Sequence, residues 1–105
     1  FCLNHLLLKC LWAPAARGAF LACFDALAAT YLAGVDWEPR EAVEQRAAHL
    51  LPGLLLARVD GKSPAEYITT DVQREPVRSC ARLLIQRPVS RLADVGAAWR
   101  REIER

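Results

Sequence analysis

The spacing of the apolar residues restricts the fold of this chain more than any other feature. Over nearly the whole length, apolar positions recur every three or four residues, and no stretch of strand length alternates apolar with polar residues. Such a sequence buries its apolar side chains only as amphipathic helices that pack on one another. We therefore predict an all-α protein of about six helices.

Prolines and glycines predict where the first two helices end. The first helix is predicted from the N-terminus to about Trp12, because the residue before Pro14 avoids the helical conformation. The second is predicted over about 15–33 and ends at Gly34, a typical C-cap residue. One apolar stripe of the second helix is predicted to face inward: Phe20, Cys23, Phe24, Leu27 and Tyr31.

The third helix is predicted to begin at Asp36, which can act as an N-cap. Pro52 and Gly53 are expected to kink or break it, since proline removes a helical hydrogen bond. Ser63, Pro64 and Glu66 have the pattern of a capping box and predict a further short helix. The inward residues of the third helix are predicted to be Val43, Ala47, Leu50 and Leu51.

Two more helices are predicted towards the C-terminus. Thr70 or Asp71 caps the first of them, which ends before Pro88, and Ser90 begins the last. The first has Val77, Cys80, Ala81, Leu84 and Ile85 on its inner face, and the last has Leu92, Val95, Trp99 and Ile103.

Composition favours one soluble unit over residues 1–105. The chain is 53% hydrophobic, and no Ser/Gly or Pro tract divides it. The four cysteines lack metal-ligand spacing, which indicates core thiols in a reducing, cytoplasmic setting. Asn4, His5 and Lys9 interrupt the apolar N-terminus, and no apolar run approaches the roughly 20 residues that span a bilayer. We therefore expect no membrane partner.

A nucleic-acid partner is not expected either. Arg74, Arg78 and Arg82 recur at every fourth position, which is typical of one solvated helical stripe. A helix-turn-helix reader is disfavoured, because no short helix pair combines an exposed basic face with a glycine turn.

Residues 61–63 (Gly-Lys-Ser) end like a nucleotide phosphate loop, but the full motif is missing. Leu56 stands where the first glycine of that motif is required, and Pro64 follows the serine directly. This pattern therefore predicts a helix cap and no nucleotide site.

Arg58, Asp60 and Lys62 form the best candidate binding cluster, with charges at alternate positions after a run of leucines. A turn of this kind can direct two cationic groups into a cleft, where they hold a phosphate or carboxylate. The alternative is an Asp60 turn with an Arg58 salt bridge that ties two helices together. His5, near the start of the first helix, is the fourth candidate for substrate contact, and its alternative is a hydrogen-bonded structural histidine. No catalytic residue and no metal ligand is assigned.

Three segments carry a family resemblance: residues 1–9 (FCLNHLLLK), 31–37 (YLAGVDW) and 54–64 (LLLARVDGKSP). The first resembles the helix that follows the magnesium-binding aspartate in aminoglycoside phosphotransferase and choline kinase-like enzymes, which share the protein-kinase-like fold. The other two are similar to the closing helices of bacterial members. The resemblance implies that the chain is the C-terminal helical part of a bacterial ATP-dependent phosphotransferase.

The same resemblance implies which partners and cofactors to expect. In the family, the catalytic loop, the metal ligands and the glycine-rich loop lie upstream of the part that matches residue 1 onwards. ATP and magnesium would then be bound by the parent enzyme and not by this chain, whose partners would be the N-terminal part of the same protein and a small-molecule acceptor. The alternative is a free-standing helical interaction module, whose Leu-rich first helix and arginine stripe bind a partner.

Overall fold

Helices account for the architecture of residues 2–104, the part of the chain that the computed structural model describes. In chain order they are α1 (Cys2–Trp12), α2 (Arg17–Ala33), α3 (Arg40–Asp60), α4 (Asp71–Gln86) and α5 (Leu92–Ile103). A single 3-10 turn, Pro14–Ala16, leads into α2. Since residues 2–104 contain no β-strand, the prediction of an all-α fold is confirmed.

The five helices share one apolar core. α1 packs mainly on α2 and α3 mainly on α4, while α5 contacts all four other helices and so joins the two pairs. The centre of the core is Trp99 of α5, which is completely buried. The other largest buried apolar side chains are Phe24, Leu7, Leu8, Leu55, Val77 and Val95.

Several predicted helix ends are confirmed. α1 stops at Trp12 and α2 has Gly34 as its C-cap. The side chain of Thr70 accepts a hydrogen bond from the backbone N–H of Gln73, whose own side chain accepts one from the Thr70 N–H. This reciprocal capping box fixes the start of α4.

The predicted start and break of α3 are wrong. α3 has Pro39 at its N-cap, so Asp36 does not cap it, and the helix runs without interruption through Pro52. The Pro52 ring is fully buried, and α3 packs along α4. Burial and packing therefore outweigh the backbone hydrogen bond that Pro52 cannot donate.

The short helix predicted at Ser63 does not form, and residues 61–70 make an irregular connection between α3 and α4. The backbone N–H of Ala65 donates to the carbonyl of Arg58 at 2.8 Å, which holds the chain out of a helix there. Ala65 and Ile68 are buried and attach this connection to the core.

Apolar spacing predicts the wrong face for part of α2. The buried residues are Leu21, Phe24 and Ala28, whereas Cys23, Leu27 and Tyr31 are exposed. Leu50 of α3 and Ile85 of α4 were also expected to face inward, and both are exposed, Leu50 by 62%. α2 is apolar on nearly every side, so its period alone does not select the face that packs.

α2 therefore presents an uncharged surface to solvent, which we call the α2 outer face. Its exposed members follow helical spacing: Ala19, Ala22, Cys23, Ala26, Leu27, Thr30 and Tyr31. Within the described chain, Pro14–Ala33 is the one segment long and apolar enough to cross a membrane by length and composition. The charged residues of α2 lie outside this face and contact α5. Asp25 pairs with Arg100 at 3.0 Å, and Arg17 donates to the Ile103 carbonyl at 3.3 Å.

Asn4 of α1 is a polar residue in the core. Its side chain is completely buried, and neither amide atom has a hydrogen-bond partner among residues 2–104. An unsatisfied buried amide costs about 1–3 kcal/mol. We expect Asn4→Leu to raise the free energy of unfolding of this chain by about 1 kcal/mol in urea titrations. Asn4→Asp should lower it, because it buries a charge at the same place. A lower stability for Asn4→Leu would show that the amide does have a partner.

Candidate ligand-binding site

His5 and Tyr67 join α1 to the connection between α3 and α4. The Nδ1 atom of His5 and the hydroxyl oxygen of Tyr67 are hydrogen-bonded at 2.8 Å. Tyr67 lies between the buried residues Ala65 and Ile68, so its backbone is held against the core. This pair is a fixed polar contact at the surface of the fold.

Two open lobes are both lined by this pair, and together we call them the His5–Tyr67 cleft. The Lys9 lobe, about 410 Å³, is lined by His5, Lys9, Trp12 and Tyr67. The Arg58 lobe, about 460 Å³, is lined by His5, Arg58, Ser63, Pro64, Glu66 and Tyr67. Each lobe has a volume typical of small-molecule sites.

Helical spacing on α1 builds the Lys9 lobe. His5, Lys9 and Trp12 stand at i, i+4 and i+7, which brings them to one face of the helix. The Lys9 Nζ atom lies 5.5 Å from the centroid of the Trp12 ring, a cation–π contact that limits where the ammonium group can go. The rings of Trp12 and Tyr67 are 6.2 Å apart and form an aromatic wall.

Arg58 lies in the last turn of α3 and lines the Arg58 lobe. Its Nη1 donates to the carbonyl of Ser63 at 3.0 Å, and its own carbonyl accepts from the Ala65 N–H. The half-buried guanidinium therefore fastens the connection while it lines the cleft.

Burial and the cations of the cleft both affect the pKa of His5. Burial lowers the pKa of the His5 imidazole, and the charges of Arg58 and Lys9 lower it further. Burial raises the pKa of the Tyr67 hydroxyl, against the opposite effect of Arg58. At neutral pH the pair is therefore an uncharged imidazole and an uncharged phenol in a positive potential, a setting that favours anionic or hydrogen-bonding ligands.

The chain matches no known family model, no curated protein and no solved structure. Among residues 2–104, no three His, Cys, Asp or Glu side chains are grouped so as to hold a metal ion.

The structure brings together two of the four residues named from the sequence. His5 and Arg58 line one cleft, although they lie on different helices, α1 and α3. Lys62 is exposed in the connection and does not line either lobe. Sequence reasoning missed Lys9, Trp12 and Tyr67. The spacing of His5, Lys9 and Trp12 was a usable signal for the first two, whereas nothing local indicated that Tyr67 would reach α1.

Asp60 lies in an ion pair that ties α3 to α4. Arg78 Nε lies 3.1 Å from both Asp60 carboxylate oxygens, and Arg78 Nη2 lies 2.9 Å from Oδ1. Arg78 also binds Glu75 at 2.8 Å. Asp60 therefore ties two helices together, as in the alternative interpretation, and it does so through Arg78.

This ion pair gives a pH-dependent prediction. Hydrogen bonds from Arg78, with smaller effects of Arg82 and Arg74, hold the pKa of Asp60 below its ordinary value. A carboxylate with a lowered folded-state pKa stabilises the fold above its unfolded pKa of about 3.9, and this contribution is lost as the pH falls. We expect Asp60→Asn to lower the melting temperature by a few degrees at neutral pH and by progressively less below about pH 4. Asp36→Asn, at an exposed position, is the matched control. Equal effects of the two variants would contradict a role for the ion pair.

Proposed function

We propose that this chain is the C-terminal helical part of an ATP-dependent phosphotransferase that acts on a hydroxyl group of a small polar molecule. The observation that carries the proposal is the His5–Tyr67 cleft. His5 and Arg58, two residues selected from sequence for substrate contact, line one open cleft of small-molecule size. The chain then supplies a wall of the acceptor pocket.

The family resemblance of residues 1–9 supports this role, because it sets α1 beside the magnesium-binding aspartate of the parent enzyme. Phosphoryl transfer depends on positioning and on charge stabilisation by metal, lysine and aspartate. In this proposal the N-terminal part of the same protein binds ATP and magnesium. The residues of the cleft bind and orient the acceptor, and none of them is catalytic.

The α2 outer face supports packing against the rest of a larger protein. Next to it, an apolar groove of about 430 Å³ opens between α1, α2, α3 and α5. Its lining residues are Cys2, Leu3, Leu27, Ala28, Tyr31, Leu32, Ala47 and Leu92. Contiguous exposed apolar surface of this kind marks an interaction site. The free thiols fit a reducing, cytoplasmic location.

The same surface favours a second candidate function, a free-standing helical module that binds another protein through α2. The two candidates differ in their chemistry. The phosphotransferase requires a parent protein that transfers phosphate, whereas the interaction module requires none.

The deciding experiment is an assay of the longest open reading frame that contains this chain. The full protein should transfer phosphate from ATP, with magnesium, to at least one member of a panel of aminoglycosides, amino alcohols, sugars, and alcohols that carry a phosphate or carboxylate group. His5→Ala and Arg58→Ala should raise the KM for that acceptor and leave the KM for ATP unchanged, whereas His49→Ala and Arg91→Ala, at exposed positions, should change neither.

Two results would overturn the proposal in different ways. An open reading frame that starts just before residue 1, or a full protein without transfer activity, would remove the phosphotransferase. An active enzyme whose acceptor KM ignores both His5 and Arg58 would show that the cleft is not the acceptor wall.

A further inference from the structure

The Lys9 lobe carries a cation that the fold positions but does not neutralise. The Lys9 ammonium lies over the Trp12 ring. No carboxylate of residues 2–104 lies within ion-pair distance of it, since the ion pairs of this part of the chain use Arg46, Arg74, Arg78 and Arg100. A cation held over an aromatic ring at the mouth of a cleft can accept an anion at little conformational cost.

Hydrogen-bonding groups border the same lobe. The His5 imidazole and the Tyr67 hydroxyl both line it, and they are bonded to each other at 2.8 Å. An imidazolium donates hydrogen bonds through both ring nitrogens. Protonation of His5 would therefore give the pair one more hydrogen-bond donor, and a positive charge, for a bound anion.

The charged and titratable groups facing His5 are mainly cationic. Within residues 2–104 they are Lys9 on α1, Arg58 on α3, and Tyr67 and Glu66 on the connection. Glu66 is the acid among them, and it borders the Arg58 lobe and not the Lys9 lobe. The Lys9 lobe is therefore the more positive of the two.

We propose that the Lys9 lobe is a binding site for the phosphate or carboxylate group of a small molecule, whose polar remainder extends into the Arg58 lobe. Lys9 contributes the opposite charge, and His5 and Tyr67 contribute hydrogen bonds. This inference rests on the proposed function in one respect, because it makes the acceptor of the phosphotransferase an anionic molecule. Anion binding itself is measured on this chain without ATP.

The test follows the two histidines by NMR, since the chain contains only His5 and His49. Their pKa values are measured in sodium chloride and then at the same ionic strength with inorganic phosphate, phenyl phosphate or acetate. A bound anion favours the charged imidazole, so phosphate and phenyl phosphate should raise the pKa of His5 in a saturable manner. For an anion that stays ionised throughout, such as acetate, the same linkage predicts tighter binding as the pH falls from about 7.5 to about 5.5, across the ordinary histidine range.

Exposed His49 is the internal control, because both histidines experience the same bulk ions. Equal shifts of His5 and His49, or a His5 shift that sodium chloride reproduces, would overturn the proposal. Saturation by acetate as well as by phosphate would assign a general anion site, and saturation by phosphate alone would assign a phosphate site. Saturation by neither would refute both.

Charge-removing variants identify the lobe. Lys9→Gln should weaken phosphate binding by about tenfold or more, the size expected for a charged hydrogen bond. Arg87→Gln removes the same charge from a separate cleft between α4 and α5 and should leave binding unchanged. Equal weakening in both variants would show that only net charge matters, which contradicts a site at Lys9.

The anion-binding test and the assay for phosphate transfer can fail independently of each other. Phosphate binding by the chain, with no transfer activity in the full protein, would keep the anion site and remove the enzyme. Transfer activity to neutral or cationic acceptors, with no anion binding, would keep the phosphotransferase and remove the anion site.

Discussion

Replacing Trp99 with alanine is expected to remove a large part of the stability of this fold. Trp99 is the largest fully buried side chain, and it belongs to α5, the helix that contacts all the others. Truncation of a buried tryptophan to alanine costs about 3–5 kcal/mol. A domain of this size is stable by about 5–15 kcal/mol in total, so the loss is a large part of the whole.

Trp37→Ala is the matched control. Trp37 is 60% exposed, so this substitution makes the same chemical change at the surface. Urea unfolding followed by circular dichroism should give a midpoint close to the parent value for this variant and a much lower midpoint, or no folded baseline, for Trp99→Ala. Similar midpoints for the two variants would show that α5 is not central to the core.

Two glycines of the α3 region are expected to respond to alanine with opposite signs. Gly61 caps α3 in an extended conformation, with its N–H bonded to the Ala57 carbonyl at 2.9 Å. A Cβ atom there would overlap the Ala57 carbonyl oxygen and lie 3.0 Å from the Ala57 Cα. Since backbone atoms cannot move aside as a side chain can, we expect Gly61→Ala to destabilise the fold by about 1–3 kcal/mol.

Gly53 lies inside the same helix, and a methyl group added at its Cα would point into open space. Gly53→Ala should raise the free energy of unfolding by about 0.5–1 kcal/mol, since alanine loses less backbone entropy in a helix. Urea titrations of both variants compare them directly. Destabilisation of similar size in both would mean that α3 does not end at Gly61.

The effect of Gly61→Ala should extend to the cleft. Arg58 lies one turn before Gly61, and its guanidinium holds the Ser63 carbonyl. A shifted helix end would move Arg58 relative to His5. The NMR pKa of His5 should therefore change in Gly61→Ala and stay unchanged in Gly53→Ala.

Three helix ends of this fold were predictable from a local rule, whereas the local signals at Asp36 and Ser63 were wrong. Pro14, Gly34 and the Thr70 capping box act through their own backbone or an immediate neighbour, and each set a helix end correctly. The continuity of α3 through Pro52 was not predictable, because it depends on burial against α4. The packed face of α2 was not predictable either, because its composition leaves several faces equally apolar.

The candidate site was predictable only in part for a related reason. His5 and Arg58 were selected for charge and position, but Tyr67, which lines the cleft with them, lies in a segment predicted to be helical. The hydrogen bond between Tyr67 and His5 spans 62 residues along the chain. Asp60 was selected with the right type of partner, and only the packing of α3 on α4 shows that the partner is Arg78.

Chemical labelling of the exposed thiols can report on one side of this protein. Cys23 lies on the α2 outer face and Cys2 borders the adjacent groove, and both are exposed. Cys10 and Cys80 are buried, and burial raises the pKa of Cys80 to about 12, which keeps it a poor nucleophile. An alkylating reagent will therefore mark the side of the molecule that the fold leaves apolar. Loss of that labelling in a longer protein or a complex would show that this face is covered there.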